Sequence, residues 1–450
     1  MRQERSTGIV KGSRDVRSAC LFVFTLLDQG WLIQEALARA YADYLLNVRD
    51  RHLLSELVFG IVRQELRLQW ITASFLPKPE RLPVPFLHIL NIAVYSLIFL
   101  ERIPPHAVYS SAQAAISRLF GTKLARLAIA ILHRIDAEKS TFLDPAAYVN
   151  REDPQTLRQD LALARYYSLP YWLLHYWQDV YGVTASLHLA RRSASKPLSG
   201  LVINPQIEGS VALRHRISSL PDVRCIGAWG FSLHESSLGL VTGSDISEWH
   251  AQGRISWQSP GSLSVVEHLG LCHWQRPVWD MCAGFGGKSA LLAQCGVPIA
   301  LCSDISRKRI QALLPEFQRR GLSLPPACLA DATNPPLARF DGHILLDAPC
   351  SGLGILHRRP DLRRKRKTKR SLRLFPQTQK ALLDRSLAYL APGCELAYIT
   401  CTLNPCENDL LIRQVLDEHP NLDLLCLWQT PHDDEQIDGM FGALLRRRIV

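Results

Sequence analysis

The sequence predicts a multidomain protein with three successive folds: an all-α domain, a small α+β domain and an α/β domain built on a doubly wound sheet. Apolar residues recur at helical spacing from about residue 15 to 140, and short β-like segments separated by Gly, Ser and Pro follow up to about residue 255. From about residue 262, strands and helices alternate strictly. The predicted domains are residues 12–140, 155–255 and 260–450.

Apolar-periodic segments predict the helices of the first domain, and proline-containing breakers separate them. The uncharged stretch 82–100 has two prolines near its start and falls short of the roughly 20 apolar residues that a membrane span needs. It therefore predicts a buried helix, and no membrane association is expected. The predicted helical segments are 19–27, 32–46, 52–65, 86–100, 107–119 and 122–134.

The second domain begins with helical sequence rich in Trp and Tyr between residues 166 and 177. Aromatic side chains at this spacing favour packing in a helical core, and stacking on nucleic-acid bases is the alternative. The predicted strands that follow lie near Gly200–Ile203, Cys225–Trp229 and Gly239–Thr242.

Alternating strands and helices after residue 262 predict a sheet with helices on both faces, and ligands of such sheets bind outside the carboxyl ends of the strands. Chemically unusual residues are therefore expected just after the strands. The predicted strands are 277–281, 299–303, 327–329, 342–346, 395–399 and 422–426, and the predicted helices are 288–295, 307–320, 377–391 and 407–418.

The composition is that of a globular protein with one concentrated charge. Of 450 residues, 47% are hydrophobic and 21% charged, which excludes long disordered or fibrous character. The formal net charge is +11. Ten residues from Arg358 to Arg373 are Lys or Arg, and Asp361 is the one acid among them. This basic segment is either a solvated face or a contact for the phosphates of a nucleic acid.

Twelve cysteines are present and none forms a Cys-x-x-Cys pair. No secretory signal precedes them, so reduced thiols in a cytoplasmic protein are expected and no metal site is predicted. Cys350 and Cys401 stand in the segments Pro349-Cys350 and Thr400-Cys401, which leave two adjacent predicted strands. Two cysteines at neighbouring strand ends indicate thiol chemistry rather than core packing. Core packing is expected instead for Cys282, Cys295, Cys302, Cys328, Cys394 and Cys426.

A glycine-rich turn follows the first predicted strand, running from Cys282 to Lys288 into a helix. A phosphate-binding P-loop would require Gly where Cys282 stands, so that motif is excluded. The glycines would instead let the backbone approach a nucleotide-like cofactor at a helix N-terminus. Three aspartates end the next strands, and each is either a cofactor contact or a helix cap. They are Asp304, Asp331 and Asp347.

These motifs resemble the successive signatures of the Nop/Sun family of RNA cytosine-5 methyltransferases, which use S-adenosylmethionine on a Rossmann-like class I methyltransferase domain. The N-terminal helices, with Asp50-Arg51 and residues 102–107, are similar to the NusB-like domain of one bacterial branch of that family, and the middle domain is expected to be RNA-recognition-like. The motifs that carry the resemblance read DMCAGFGGKS (280–289), DISRKR (304–309), DAPCSGLG (347–354), RRPD (358–361) and YITCTLNPCEN (398–408).

The resemblance implies roles for individual residues. Cys401 would be the nucleophile, and Cys350 would assist removal of the carbon 5 proton and release of the enzyme. Asp347 would hold the amino edge of the base, and Lys288 would orient that carboxylate or the substrate. The chain departs from the family's turn, Cys-Ala-Ala-Pro-Gly-Gly-Lys, at Gly284-Phe285, which would affect cofactor affinity most. The implied cofactor contacts are Cys282, Ala283, Gly284, Phe285, Gly286, Gly287, Lys288, Asp304, Asp331 and Asp347.

The expected partner is ribosomal RNA of the small subunit, and the expected chain is a monomer. Two alternatives stay open: a DNA cytosine-5 methyltransferase, which would use the Pro-Cys cysteine as nucleophile, and a non-catalytic RNA-binding assembly factor that has lost cofactor binding. Because the basic segment follows the Pro-Cys loop, it is expected to neutralise RNA phosphates. The predicted contacts are Arg358, Arg359, Arg363, Arg364, Lys365, Arg366, Lys367, Lys369 and Arg370.

Overall fold

The computed structural model describes residues 13–76, 78–241, 243–335, 337, 339–366 and 368–449. The chain forms two compact units. We name them the helical unit, Met1–Lys196 with Leu356–Lys367, and the sheet unit, Pro197–Ile355 with Thr368–Val450. The predicted second domain is thus divided, since its first 40 residues or so cluster with the helical unit and the rest with the sheet unit. Lys367 and Thr242, both named in the sequence predictions, lie outside the described residues.

Amphipathic helices make up the helical unit. The first begins after Asp15, whose carboxylate accepts hydrogen bonds from the N–H groups of Arg17 and Ser18, as expected of a helix N-cap. The last is broken at Gly182, whose φ of 81° is not helical. The helices are α1 (Val16–Asp28), α2 (Ile33–Asp43), α3 (Val48–Arg63), α4 (Glu65–Phe75), α5 (Val84–Phe99), α6 (Pro105–Phe120), α7 (Thr122–Ala137), α8 (Arg158–Tyr166) and α9 (Tyr171–Ala194), with a short helix at Asp361–Lys365.

The apolar stretch 82–100 forms α5, and most of its side chains are buried in the core of the helical unit. This burial explains its hydrophobic sequence without a membrane. Throughout the described part of the chain, the helices are too short or too polar to cross a bilayer.

The sheet unit begins with a small antiparallel sheet of order β2-β3-β1-β4, built in the sequence βαββαβ. Its helices cover one face. Helix α13 covers the other face. Two glycines allow its close approach: a Cβ built at Gly200 would lie 2.8 Å from Pro260 Cδ, and one at Gly230 would lie 3.0 Å from Leu263 Cδ1. The elements are β1 (Ser199–Ile203), α10 (Ser210–Ser218), β2 (Val223–Ile226), β3 (Gly230–Leu233), α11 (Glu235–Gly239), α12 (Gly243–Ala251), β4 (Ile255–Trp257) and α13 (Pro260–His268).

A seven-stranded mixed sheet of order β10-β11-β9-β8-β5-β6-β7 forms the rest of the sheet unit. The strands from β9 to β7 are parallel, and β11 pairs antiparallel with β9 and β10. The predicted fold class is confirmed. The strands are β5 (Val278–Asp280), β6 (Ile299–Asp304), β7 (Ala327–Leu329), β8 (His343–Asp347), β9 (Glu395–Thr400), β10 (Leu422–Gln429) and β11 (Phe441–Arg447), and the helices are α14 (Gly287–Gln294), α15 (Arg307–Arg319), Leu374–Tyr389 and Asp409–Glu418.

Parallel pairing places the functional motifs at one edge. In the β8–β9 ladder Asp347 lies opposite Ile399, so the Pro-Cys and Thr-Cys segments leave the sheet side by side. On the other side of β8, β5 runs parallel and enters the glycine-rich turn. The site therefore lies outside the carboxyl ends of β5, β8 and β9.

Candidate active site

The glycine-rich turn connects β5 to α14 with two left-handed residues. Gly284 has φ 58° and Gly286 has φ 78°, a region that other L-residues rarely adopt. A Cβ at Gly286 would also lie 2.6 Å from Leu313 Cγ, whereas one at Gly284 would meet no atom within 4 Å. The Phe285 side chain is 59% exposed. The turn is thus fixed by Gly286 and open at Gly284.

Asp304 ends β6 and faces the turn. Its side chain is buried, with Oδ2 accepting a hydrogen bond from Gly284 N at 2.9 Å and Oδ1 accepting one from Ser306 N at 2.8 Å. Asp331, after β7, is exposed and accepts from the N–H and hydroxyl of Thr333, and these bonds lower its pKa. Asp304 is therefore tied to the glycine-rich turn, while Asp331 is tied to Thr333 and remains exposed.

Lys288 and Asp347 form an ion pair, with Lys288 Nζ 2.5 Å from Asp347 Oδ2. Burial opposes the charge on Lys288, yet its pKa is raised because the negative groups Asp347, Cys401 and Asp280 outweigh burial. Lys288 therefore remains a cation, and the ion pair orients the Asp347 side chain.

Asp280, the last residue of β5, is fully enclosed. Its Oδ2 accepts a short hydrogen bond from Ser289 Oγ, while its Oδ1 has no hydrogen-bond partner among the described residues. Burial, with a further contribution from the charge of Asp347, raises the pKa of Asp280 to about 7. Asp280 is the first residue of the motif 280–289, and no role was predicted for it. Its position directly before the glycine-rich turn was the available signal.

Cys350 and Cys401 are brought together at the ends of β8 and β9, with their Sγ atoms 3.1 Å apart. The hydrogen bond to Cys401 and burial raise the pKa of Cys350 well above its usual range. Cys350 therefore keeps its proton and can donate it to the Cys401 sulfur.

A buried carboxylate joins the two cysteine loops. Glu407 Oε2 accepts hydrogen bonds from Ser351 N at 2.8 Å and Gln379 Nε2 at 2.9 Å, and its Oε1 accepts one from Asn404 Nδ2 at 2.8 Å. Ser351 Oγ also lies 2.7 Å from Thr402 Oγ1. Each loop is therefore fixed by groups from the other. This network was not predicted, although Glu407 lies in the motif 398–408.

The basic segment is partly internal to the helical unit. The Arg363 side chain is buried, and Arg364 pairs with Glu65 at 2.5 Å and with Asp28 at 3.3 Å. Arg359 pairs with Asp361 at 3.1 Å. The prediction that Arg363 contacts RNA is therefore wrong, because a buried guanidinium cannot reach a phosphate. Its Nη groups donate hydrogen bonds to backbone carbonyls of the helical unit instead.

The remaining described cations of the segment differ in exposure. Lys365, Lys369, Arg370 and Arg373 are exposed, whereas Arg358 and Arg366 are half-buried. These positions keep a phosphate contact open for the four exposed side chains.

The fold and the site together define a methyltransferase. Residues 272–445 match the family described as 16S rRNA methyltransferase RsmB/F, and residues 16–137 match the NusB family. Residues 272–445 therefore form an RsmB/F-type methyltransferase domain, and a NusB-type domain precedes it. This confirms the Nop/Sun recognition made from the sequence motifs.

Curated relatives match this chain in sequence along most of its length. The probable ribosomal RNA small subunit methyltransferase B of Bacillus subtilis (strain 168) is 29% identical over 388 residues, covering 84% of this chain and 82% of that protein. The ribosomal RNA small subunit methyltransferase B of Vibrio cholerae serotype O1 is 26% identical over 445 residues, covering 96% of this chain and 97% of that protein.

Solved structures share the fold at lower identity. The crystal structure of PH0851 superposes with a TM-score of 0.70 at 19% identity, covering 97% of this chain and all of that one. A methyltransferase homolog protein from Pyrococcus horikoshii gives a TM-score of 0.54 at 20% identity, covering 64% of this chain and 99% of that one. These similarities support the architecture.

Proposed function

We propose that the protein transfers a methyl group from S-adenosylmethionine to carbon 5 of a cytidine in small-subunit ribosomal RNA, through a covalent bond between Cys401 and carbon 6 of the base. The 3.1 Å approach of Cys350 and Cys401 beside the Lys288–Asp347 pair carries this proposal. The names of the curated relatives, ribosomal RNA small subunit methyltransferase B, support the substrate class.

Cytosine requires covalent activation because carbon 5 is a poor nucleophile. The Cys401 thiolate adds to carbon 6, and the electron pair of the carbon 5–carbon 6 bond moves so that carbon 5 becomes nucleophilic. S-adenosylmethionine, when bound, supplies a methyl group on a sulfonium for this carbon. Loss of the carbon 5 proton then restores the double bond and expels the Cys401 thiolate.

Cys350 is placed to remove that proton. In the free enzyme its pKa is high chiefly because of the hydrogen bond to Cys401, burial and the charge of Cys401. Formation of the carbon 6 bond turns the Cys401 sulfur into a neutral thioether and removes that charge. The pKa of Cys350 then falls, so Cys350 can pass its own proton to water and, as a thiolate, take the carbon 5 proton, which allows the RNA to leave.

Asp347 and Lys288 would hold the base. The Asp347 carboxylate is ion-paired through Oδ2, and its other oxygen can accept a hydrogen bond from the exocyclic amine of cytosine. Lys288 orients this carboxylate through the ion pair.

The residues around the glycine-rich turn fit S-adenosylmethionine. Gly284 leaves open space where a side chain would stand, and the buried Asp304 carboxylate can accept hydrogen bonds from ribose hydroxyls. The first N–H groups of α14 lack intrahelical acceptors and favour a carboxylate. Residues Cys282 to Lys288 with Asp304, Asp331 and Asp347 would therefore hold the cofactor, with the exposed Phe285 at its rim.

RNA phosphates would meet exposed cations on both units. On the sheet unit these are Lys369, Arg370 and Arg373, and on the helical unit Lys365. The NusB-family domain adds residues 102–135, which contain five Lys or Arg and no acid. All five are exposed, which suits a non-specific phosphate contact. They are Arg102, Arg118, Lys123, Arg126 and Arg134.

The decisive experiment measures methyl transfer to unmodified small-subunit ribosomal RNA by the wild type and by Cys401→Ala. Wild type should yield 5-methylcytidine, and Cys401→Ala none. A DNA-type enzyme would instead depend on Cys350 as the nucleophile, and a non-catalytic factor would bind RNA without binding S-adenosylmethionine. A cytoplasmic, monomeric protein remains our expectation.

A further inference from the structure

Arg363 occupies an unusual place in the helical unit. Its side chain is buried, and it donates from Nη1 to Arg63 O at 2.6 Å and Ser168 O at 2.7 Å, and from Nη2 to Ser193 O. These acceptors are backbone carbonyls, and burial lowers the pKa of Arg363 to about 9. The guanidinium is thus removed from water, and three main-chain carbonyls accept its hydrogen bonds instead.

The three acceptors lie at the C-terminal ends of three helices. Arg63 is the last residue of α3, Ser193 lies in the last turn of α9, and Ser168 follows the end of α8. Helix C-termini present unpaired carbonyls and carry partial negative charge. One cation therefore caps three helices at once, and their converging dipoles replace a carboxylate as its counter-charge.

A second arginine reinforces the same segment. Arg63 is buried, and its Nε donates to His357 O at 3.0 Å. Arg63 thus binds the segment through its side chain and receives Arg363 through its carbonyl. Residues 356–367 are held in the helical unit by both arginines and by the Arg364–Glu65 pair.

The chain reaches this anchor directly from the Thr-Cys and Pro-Cys loops. Gly354 N donates to Cys401 O at 3.1 Å, and Gly354 O accepts from Gly439 N at 2.9 Å. A Cβ at Gly354 would lie 1.8 Å from Gly439 O, so this backbone cannot shift freely. Only two residues separate Gly354 from His357, where the bond to Arg63 begins. Little slack is left between the two attachments.

We propose that Arg363 and Arg63 are positioning residues for the reaction. They fix the chain that leaves the Pro-Cys loop, and through it the placement of Cys350 relative to Cys401. A displacement of about 1 Å in a reacting group can cost about 100-fold in rate, so loosening this anchor should be felt in the chemical step. The inference rests on the proposed function for its kinetic consequence.

The test compares Arg363→Gln with Arg67→Gln in the full-length protein. Arg67 is a matched control because it is also buried in the helical unit, while its hydrogen bonds go to Tyr148 Oη and Phe142 O. Both variants should lower the midpoint of thermal unfolding. At a temperature where both are folded and RNA is saturating, Arg363→Gln should slow single-turnover methyl transfer at least 10-fold, and Arg67→Gln less than 3-fold.

A second readout is independent of the enzymatic activity. Iodoacetamide labelling followed by mass spectrometry should show Cys350 alkylated at least 5-fold faster in Arg363→Gln than in the wild type, with the exposed Cys406 unchanged as internal standard. If wild type fails to methylate cytidine, the proposed function is wrong while the labelling still tests the anchor. Should Arg363→Gln not fold, Arg63→Met removes the His357 bond alone and should give the same labelling change. Unchanged Cys350 labelling with transfer within 2-fold of wild type overturns the proposal.

Discussion

Cys350 Sγ lies 3.1 Å from Cys401 Sγ, and this contact is the main reason that the pKa of Cys350 is raised. Replacing Cys401 removes both the hydrogen bond and the negative charge. We therefore expect the Cys350 thiol of Cys401→Ala to be more acidic and to react with iodoacetamide about 10-fold faster at pH 8 than in the wild type. Peptide mass spectrometry measures this rate, and slower or equal labelling of Cys350 would refute the coupling.

The buried Asp280 carboxyl makes stability depend on pH. Its pKa is raised from 3.8 to about 7 on folding, so the unfolded chain loses this proton at lower pH than the folded protein does. The folded state thus binds more protons between about pH 4 and 7, and Asp280 lowers stability progressively as pH rises through that window.

Asp280→Asn has no such titration. From pH 5 to pH 8, the free energy of unfolding of the wild type should fall relative to Asp280→Asn by about 2 kcal/mol. Urea unfolding at the two pH values measures the difference. A difference between the two proteins that does not change with pH would show that Asp280 is ionised in the folded state at pH 5.

Glu407 should be intolerant even of its amide. All three of its hydrogen-bond partners are donors, so Glu407→Gln would set an NH₂ group against an N–H. We expect a loss of about 2 kcal/mol of unfolding free energy and a disordered Pro-Cys loop. Glu418→Gln, on the surface, is the control and should leave stability nearly unchanged. Equal stability of Glu407→Gln and the wild type would remove Glu407 from this role.

Cations of the basic segment and cations elsewhere on the surface should differ in their effect on RNA binding. The triple variant Lys365→Gln, Lys369→Gln, Arg370→Gln should reduce the slope of log affinity against log salt by about 2 to 3. The matched control removes the same charge from Arg39, Arg216 and Arg448, exposed arginines that pair with carboxylates. Filter binding at several salt concentrations measures both slopes, and equal slopes for the two triples would assign the RNA contact elsewhere.

The strand ends of the sheet unit were predictable because local rules fix them. The predicted strands fall within a few residues of β5 to β10, and the three aspartates and two cysteines that follow them were expected from the rule that ligands bind at carboxyl ends. Lys288 and Asp347 were assigned from the resemblance, and the structure brings them into contact. The two side chains can meet at this edge of the sheet because β5 and β8 pair in parallel.

Other features depend on contacts that no local pattern carries. The break between α3 and α4 lacks a Gly or Pro, and the capping of α3 by Arg363 comes from 300 residues away. The basic segment illustrates the same limit, since a run of arginines does not reveal which of them have buried acceptors. The role of Glu407 likewise depends on donors from three separate segments.

The covalent role of Cys401 is tested most directly by mixing Cys350→Ala with S-adenosylmethionine and unmodified small-subunit ribosomal RNA and looking for a covalent protein–RNA complex on a denaturing gel. We expect Cys350→Ala to accumulate the complex, and the double variant Cys350→Ala with Cys401→Ala to form none. A complex that persists without Cys401, or 5-methylcytidine formed by Cys401→Ala at the wild-type rate, would contradict this role.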